Sequence, residues 1–259
     1  MNQANFQKLA SASRKPKPPY HGAPVGILLL QRASDTFHRP WIPGSVGNAS
    51  TWTVPARYKV MSGIDFGCII GPGADNAESA VVQSAIELVR EGAQLITANC
   101  GFMVRYQEAV RAAVDVPVLL SSLLLGPFLE RVLPANKSLG IITAKASSLS
   151  PDLMKAAGMP ADSERFVVAG LEDAPVFARS FLTCDGDFDY DSVEAETVGA
   201  ALDMVKKRPD IGMILMECSE LPPYAAAVQR ATGLPVYDFF SLIDFFAQGL
   251  VRKPFAGFA

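Results

Sequence analysis

Residues 100–118 read CGFMVRYQEAVRAAVDVPV, and residues 218–236 read CSELPPYAAAVQRATGLPV. A shift of 118 positions lays Cys100 on Cys218, Tyr106 on Tyr224, Val110 on Val228 and Ala113 on Ala231. The same shift lays Val116-Pro117-Val118 on Leu234-Pro235-Val236. Upstream, a shift of 114 lays VGILLL (25–30) over LGIITA (139–144), and between these segments RYKVMSG (57–63) lies over RFVVAG (165–170). Matching segments in one order indicate a duplicated unit, and a repeat of this size is too long for a solenoid.

Each copy alternates short apolar runs with helical stretches, the βαβ pattern that predicts a parallel sheet covered by helices. The first copy predicts strands near 24–30, 57–62, 94–99 and 116–120, with helices near 77–91 and 103–113. Ala77, Ala80, Val81, Ile86 and Val89 supply the apolar stripe of the 77–91 helix. The second copy predicts strands near 138–143, 165–169, 211–217 and 234–237, with helices near 192–207 and 222–231. In SLSPDLMKAAG, Ser150 at the N-cap, Pro151 at the first helical position and Gly158 past the end mark another helix. The organisation expected is a flexible arm over 1–23, a first lobe over 24–122 and a second over 123–238. The apolar helix in 239–259 closes back onto the first lobe. One long insertion, residues 31–56, is rich in Gly, Pro, Ser and Trp and leaves the C-terminal end of a strand, where parallel sheets bind ligands.

Composition narrows the function. The chain has 259 residues, 49% hydrophobic, only 19% charged, with a net charge of −3 and a mean hydropathy of +0.21. No basic field exists to hold nucleic acid. VGILLL and VPVLLSSLLLGPFL fall short of a membrane span, and the first 23 residues lack the apolar core of a signal peptide. The expected compartment is the cytoplasm, where four cysteines stay reduced.

Cys100 and Cys218 each end an apolar strand just before a helix, where N–H groups are expected to pull a thiol below its usual proton affinity. Facing each other across a cleft, they would hold one thiol on either side of a bound carbon acid. One thiolate takes a proton from one face and the other thiol returns one. Cys68 and Cys184 have no repeat counterparts and are read as a core and a loop residue.

With GILLL, TANCGF, LGIITA and ECSELP in place, the chain resembles the aspartate/glutamate racemase superfamily, which includes hydantoin racemases, maleate isomerases and arylmalonate decarboxylases. CSELP is similar to the CTEL pattern around that family's second catalytic cysteine. The resemblance covers nearly everything after the arm. It implies two pseudo-symmetric doubly wound α/β lobes with the active site between them, Cys100 and Cys218 as cofactor-independent acid/base groups, and a homodimer. The family's Cys-Asn-Thr is absent: Asn99 precedes the first cysteine and Gly101-Phe102 follow it, closer to the decarboxylase branch.

Negative charge built next to a carboxylate needs donors aimed at it. Candidates are the backbone N–H groups after each cysteine, at Gly101 and Ser219, the Ser219 hydroxyl, Asn99, Thr143 and Lys145. From the first lobe come Gln31, Arg32 and Ser34, and from the long loop Ser45, Asn48 and Ser50. Glu217 is expected to point away from Cys218, and Glu220 to sit at a helix N-terminus. Two histidines, His21 and His38, leave little for a metal site or a serine triad. GPGAD (71–75) reads as a turn, CDGDFDYD (184–191) as a solvated acidic loop, and nothing near Lys145 marks a pyridoxal phosphate cup. The reading is a racemase or isomerase acting on a small carboxylate such as aspartate. The alternatives are a decarboxylase or maleate-type isomerase, and a two-lobed carboxylate binder without turnover.

Overall fold

The computed structural model describes residues 18, 21–32, 42–160, 162–185 and 188–257. Ser34, His38 and most of the arm lie outside these.

Two four-stranded parallel sheets carry the fold, in the orders β2-β1-β3-β4 and β6-β5-β7-β8. The strands are β1 Val25–Leu30, β2 Ala56–Met61, β3 Leu95–Ala98 and β4 Val118–Leu119, then β5 Ser138–Thr143, β6 Phe166–Gly170, β7 Ile211–Met216 and β8 Val236–Tyr237. The central strands are almost wholly buried, as unbroken apolar runs covered on both faces must be. The helices are α1 Phe66–Ile70, α2 Ala74–Arg90, α3 Gln107–Ala113, α4 Gly126–Val132, α5 Pro151–Ala156, α6 Pro175–Phe177, α7 Tyr190–Lys207, α8 Ala225–Thr232 and α9 Phe239–Leu250.

The duplication is written into the strand register. Ile96 pairs with Val118 and Thr97 with Leu119, while Ile214 pairs with Val236 and Leu215 with Tyr237, the same ladder 118 residues on. Val25 opposite Leu95 becomes Leu139 opposite Met213. The β2–β6 match is corrected by two residues: β1 sets Val25 against Ala56 and β5 sets Leu139 against Phe166, so Arg57 and Arg165 are not equivalent. A slip of two keeps each side chain on its face, which is why the apolar pattern did not expose it.

Gly26 and Gly140 occupy equivalent places because the covering helix passes close there. A Cβ on Gly26 would lie 2.8 Å from the Ala93 Cβ and 3.3 Å from a Leu88 methyl, and one on Gly140 would lie 2.6 Å from the Met204 methyl. The stripe of α2 is rotated from the one expected: Ala74, Ala77, Val81, Ala85 and Leu88 are buried, whereas Ala80 is exposed. Ser150 caps α5 as read, accepting from the Leu153 N–H at 3.3 Å. Helices α1, α4 and α6 were not anticipated; each is seven residues or fewer, too short for periodicity to register.

Leu28, Ile96, Phe102 and Leu120 share one core with Leu139, Ile141, Met154 and Leu215, so the two lobes are packed together. Helix α9 begins with a capping box at Asp238 and Ser241 and lays Leu242 and Ile243 on Val25, Ile27, Leu95 and Leu119. The described part of the long loop, 42–55, is packed rather than open. Trp52 is buried, its ring 4.5 Å from Phe240 of α9, and its Nε1–H donates to the Val46 carbonyl at 3.2 Å. Among the described residues no helix is long and apolar enough to cross a membrane.

Candidate active site

Cys100 and Cys218 stand at equivalent strand ends, two residues past β3 and β7, and each opens a tight turn. The Met103 N–H reaches the Cys100 carbonyl at 3.1 Å, and the Leu221 N–H reaches the Cys218 carbonyl at 3.1 Å. Each turn winds through a 3-10 segment, Gly101–Tyr106 or Pro222–Tyr224, and leads into α3 or α8. Both cysteines are buried and unpaired as disulfides. Cys68 is half-buried on α1, and Cys184 is exposed.

The two strand ends meet. The Ser219 hydroxyl donates to the Asn99 carbonyl, and the Ser122 hydroxyl, just before α4, donates to the Met216 carbonyl at 2.8 Å. A Cβ on Gly101 would fall 1.9 Å from Glu217 Oε1 and 2.5 Å from the Glu217 carbonyl. Only glycine lets the first lobe come this close to the second.

Asn99 and Glu217 are repeat counterparts. The Asn99 N–H donates to Leu28 O at 3.0 Å, and the Glu217 N–H to Ile142 O at 2.8 Å. Asn99 Oδ1 accepts from the Leu30 N–H at 2.9 Å, while the Glu217 carboxyl accepts from the Ala144 N–H and, through Oε2, from the Thr143 hydroxyl at 2.7 Å. Glu217 is fully buried, and its Oε1 has no hydrogen-bond partner among the described residues. Burial pushes this carboxyl up to about 7, against the two donors that pull it down.

The thiols depart from expectation. Burial raises Cys100 far above its ordinary value, the Glu217 carboxylate adds to the rise, and the N–H groups of Phe102 and Met103 do not offset it. Burial, Glu217, Glu220 and Cys100 together raise Cys218 in the same way, against one N–H at Glu220. A turn N-terminus stabilises a thiolate by a modest amount that falls off within one turn, and full desolvation outweighs it.

A cavity of about 230 Å³ opens beside the cysteines, lined by residues 29–32, Ser45, Val46, Gly47, Val60, Asn99, Ser219 and Glu220. Of the residues read from sequence it gathers Gln31, Ser45, Asn99 and Ser219 with Arg32, while Cys100 and Cys218 adjoin its lining residues Asn99 and Ser219. Cys100, Cys218, Asn48, Gly101, Thr143 and Lys145 do not line it. Asn48 instead caps the turn Ala49–Thr51, accepting from the Ser50 N–H at 3.0 Å, and Thr143 serves Glu217. Glu220, expected at a helix N-terminus or as an orienting group for the thiol, forms an ion pair with Arg32 across the lobes. Sequence reading passed over Ser122 and took Glu217 only as a side chain pointing away from Cys218; the shift that matches the cysteines also lays Asn99 on Glu217, and that was the available signal.

No protein-family model matches the chain. It is 32% identical to a dimethylsulfoniopropionate lyase of Durusdinium sp. clade D over 262 residues, spanning 97% of this chain and 84% of that one. The chain belongs to the dimethylsulfoniopropionate lyase family. Dimethylsulfoniopropionate lyase 7 of Emiliania huxleyi is 33% identical over 89% of this chain and 68% of its own length. The racemase or isomerase expectation is therefore corrected: these relatives are lyases. Membership in the lyase family is compatible with the racemase-like architecture. Allantoin racemase from Klebsiella pneumoniae superposes with a TM-score of 0.58 at 17% identity, over 88% of this chain and 90% of that one. Arylmalonate decarboxylase superposes with a TM-score of 0.53 at 17% identity, over 88% and 92%. At such identities the likeness speaks for the fold of this lyase-family chain alone, that of the aspartate/glutamate racemase superfamily.

Proposed function

We propose that the chain is a lyase that splits dimethylsulfoniopropionate, or a close β-sulfonium carboxylate, into a dialkyl sulfide and an acrylate. The observation that carries this reading, beside the family, is the charge pattern of the cavity. Arg32 and Glu220 offer one cationic and one anionic group to the same small space. A zwitterion suits that pattern, its carboxylate on the Arg32 guanidinium and its sulfonium near the Glu220 carboxylate. At roughly 30 Å³ per water-sized group, the cavity has room for about seven to eight such groups, close to the substrate's eight heavy atoms.

Cys218 is assigned as the base, because Ser219 and Glu220, which follow it, form the wall that carries the ion pair. Its thiolate takes the proton from the carbon next to the carboxylate. The C–H electrons become the carbon–carbon double bond, and the carbon–sulfur pair leaves with the sulfide. No proton has to return to carbon, so one thiol suffices for the chemistry. The raised resting thiols fit a cationic substrate: a sulfonium brought next to the thiolate lowers its proton affinity when the substrate arrives. The test is gas chromatography of dimethyl sulfide with parallel measurement of acrylate. Wild type should release both in equal amounts, and Cys218→Ser should lose about 10²–10⁴-fold in kcat. Absence of sulfide from the wild type, or an active Cys218→Ser, refutes the assignment.

A further inference from the structure

Glu217 is a buried acid for which the elimination has no direct use. It is fully buried, the Thr143 hydroxyl holds its Oε2, the Ala144 N–H also reaches the carboxyl, and Oε1 has no hydrogen-bond partner among the described residues. No ion pair with a lysine or arginine among the described residues compensates it. Its counterpart in the first lobe, Asn99, makes the same pair of backbone bonds, from its own N–H to the first strand of the lobe and from that strand's end to its side-chain oxygen. Asn99 does this as a neutral amide.

We infer that Glu217 works as a neutral carboxylic acid, the partner in symmetry of Asn99, and that its ionisation limits how much thiolate Cys100 and Cys218 can form. The inference rests on the lyase reading only for what the thiols do. Two anionic groups sharing a dry site oppose each other strongly, so a thiolate forms readily only while Glu217 keeps its proton. The charged and titratable groups around it are Cys100 on the turn after β3, Cys218 beside it in the chain, and Glu220 with its Arg32 partner. Thr143 and Ser122 contribute neutral hydroxyls. Burial pushes the carboxyl up to about 7, so the limit sets in around neutral pH.

The experiment measures alkylation of Cys100 and Cys218 by iodoacetamide against pH, read by peptide mass spectrometry, which requires no substrate. Glu217→Gln should match wild type at pH 5.5, where both are neutral, and react about tenfold faster at pH 8.5, as removal of an adjacent like charge predicts. Thr143→Val removes a donor that favours the carboxylate, so between pH 7 and 8 it should move toward the Glu217→Gln profile. It carries the test if Glu217→Gln does not fold. Parallel profiles for wild type and variant across the whole range overturn the inference. So does a uniform rise at every pH, which would signal a loosened site. Failure to cleave dimethylsulfoniopropionate would leave these outcomes readable and would count only against the substrate.

Discussion

Replacing Glu217 with glutamine should change how the stability of the protein responds to pH. In the unfolded chain this carboxyl titrates near its ordinary 4.5, whereas in the folded protein it titrates at about 7. Its folded value is raised, so the native state holds more protons than the unfolded one between these limits, and stability falls as pH rises through them. At about 1.4 kcal/mol per pH unit, the penalty is under about 1 kcal/mol at pH 5 and levels off near 3 kcal/mol above pH 7. Glutamine keeps the shape and the acceptor for Thr143 without ionising. Urea unfolding of both proteins at pH 5, 6, 7 and 8 should give a stability difference that grows in favour of the variant by about 2 kcal/mol. With a slope of about 3 kcal/mol per molar, that moves the midpoint by somewhat under 1 M. Asp238, also raised by burial, titrates in both proteins and cancels in the difference. A difference that is flat with pH, or grows against the variant, refutes the reasoning.

Gly101→Ala should destabilise by at least about 2 kcal/mol in urea unfolding and abolish turnover, because the new methyl meets the Glu217 backbone as well as its side chain. Wild-type stability in that variant would contradict the close contact of the lobes. Arg32→Leu should raise KM for dimethylsulfoniopropionate at least about tenfold with a smaller change in kcat, the signature of lost ground-state binding. Exchanging the charges, with Arg32→Glu and Glu220→Arg together, should restore the ion pair and stability but not affinity. Trp52→Ala should cost about 3–5 kcal/mol and expose the 42–55 segment to limited proteolysis, since its ring ties that segment to Phe240.

The central strands β1, β3, β5 and β7 were legible because parallel strands buried on both faces must be continuous apolar runs, and the ends of such runs fall within a residue or two. The duplication was legible because Cys100, Tyr106 and Val110 recur at one spacing, and Tyr106 and Val110, with their counterparts Tyr224 and Val228, fill matching buried places. Short helices such as α4 were not, since seven residues give two turns and no period. Membership in a lyase family was not legible either. Racemisation and elimination can both begin by removing a proton beside a carboxylate, so a pair of thiols would suit either, and the outcome would depend on a leaving group that belongs to the substrate.

Chain order alone therefore determined two homologous α/β units with a cysteine at the end of the third strand of each, because burial of periodic apolar residues is a local demand. Tertiary structure alone decided what surrounds those thiols. Arg32 meets Glu220 across 188 residues of chain, Gly101 seats against Glu217, and Asn99 and Glu217 take equivalent bonds in opposite lobes. Proton affinity in a buried site follows from distance and desolvation, and both exist only after the lobes have closed on each other.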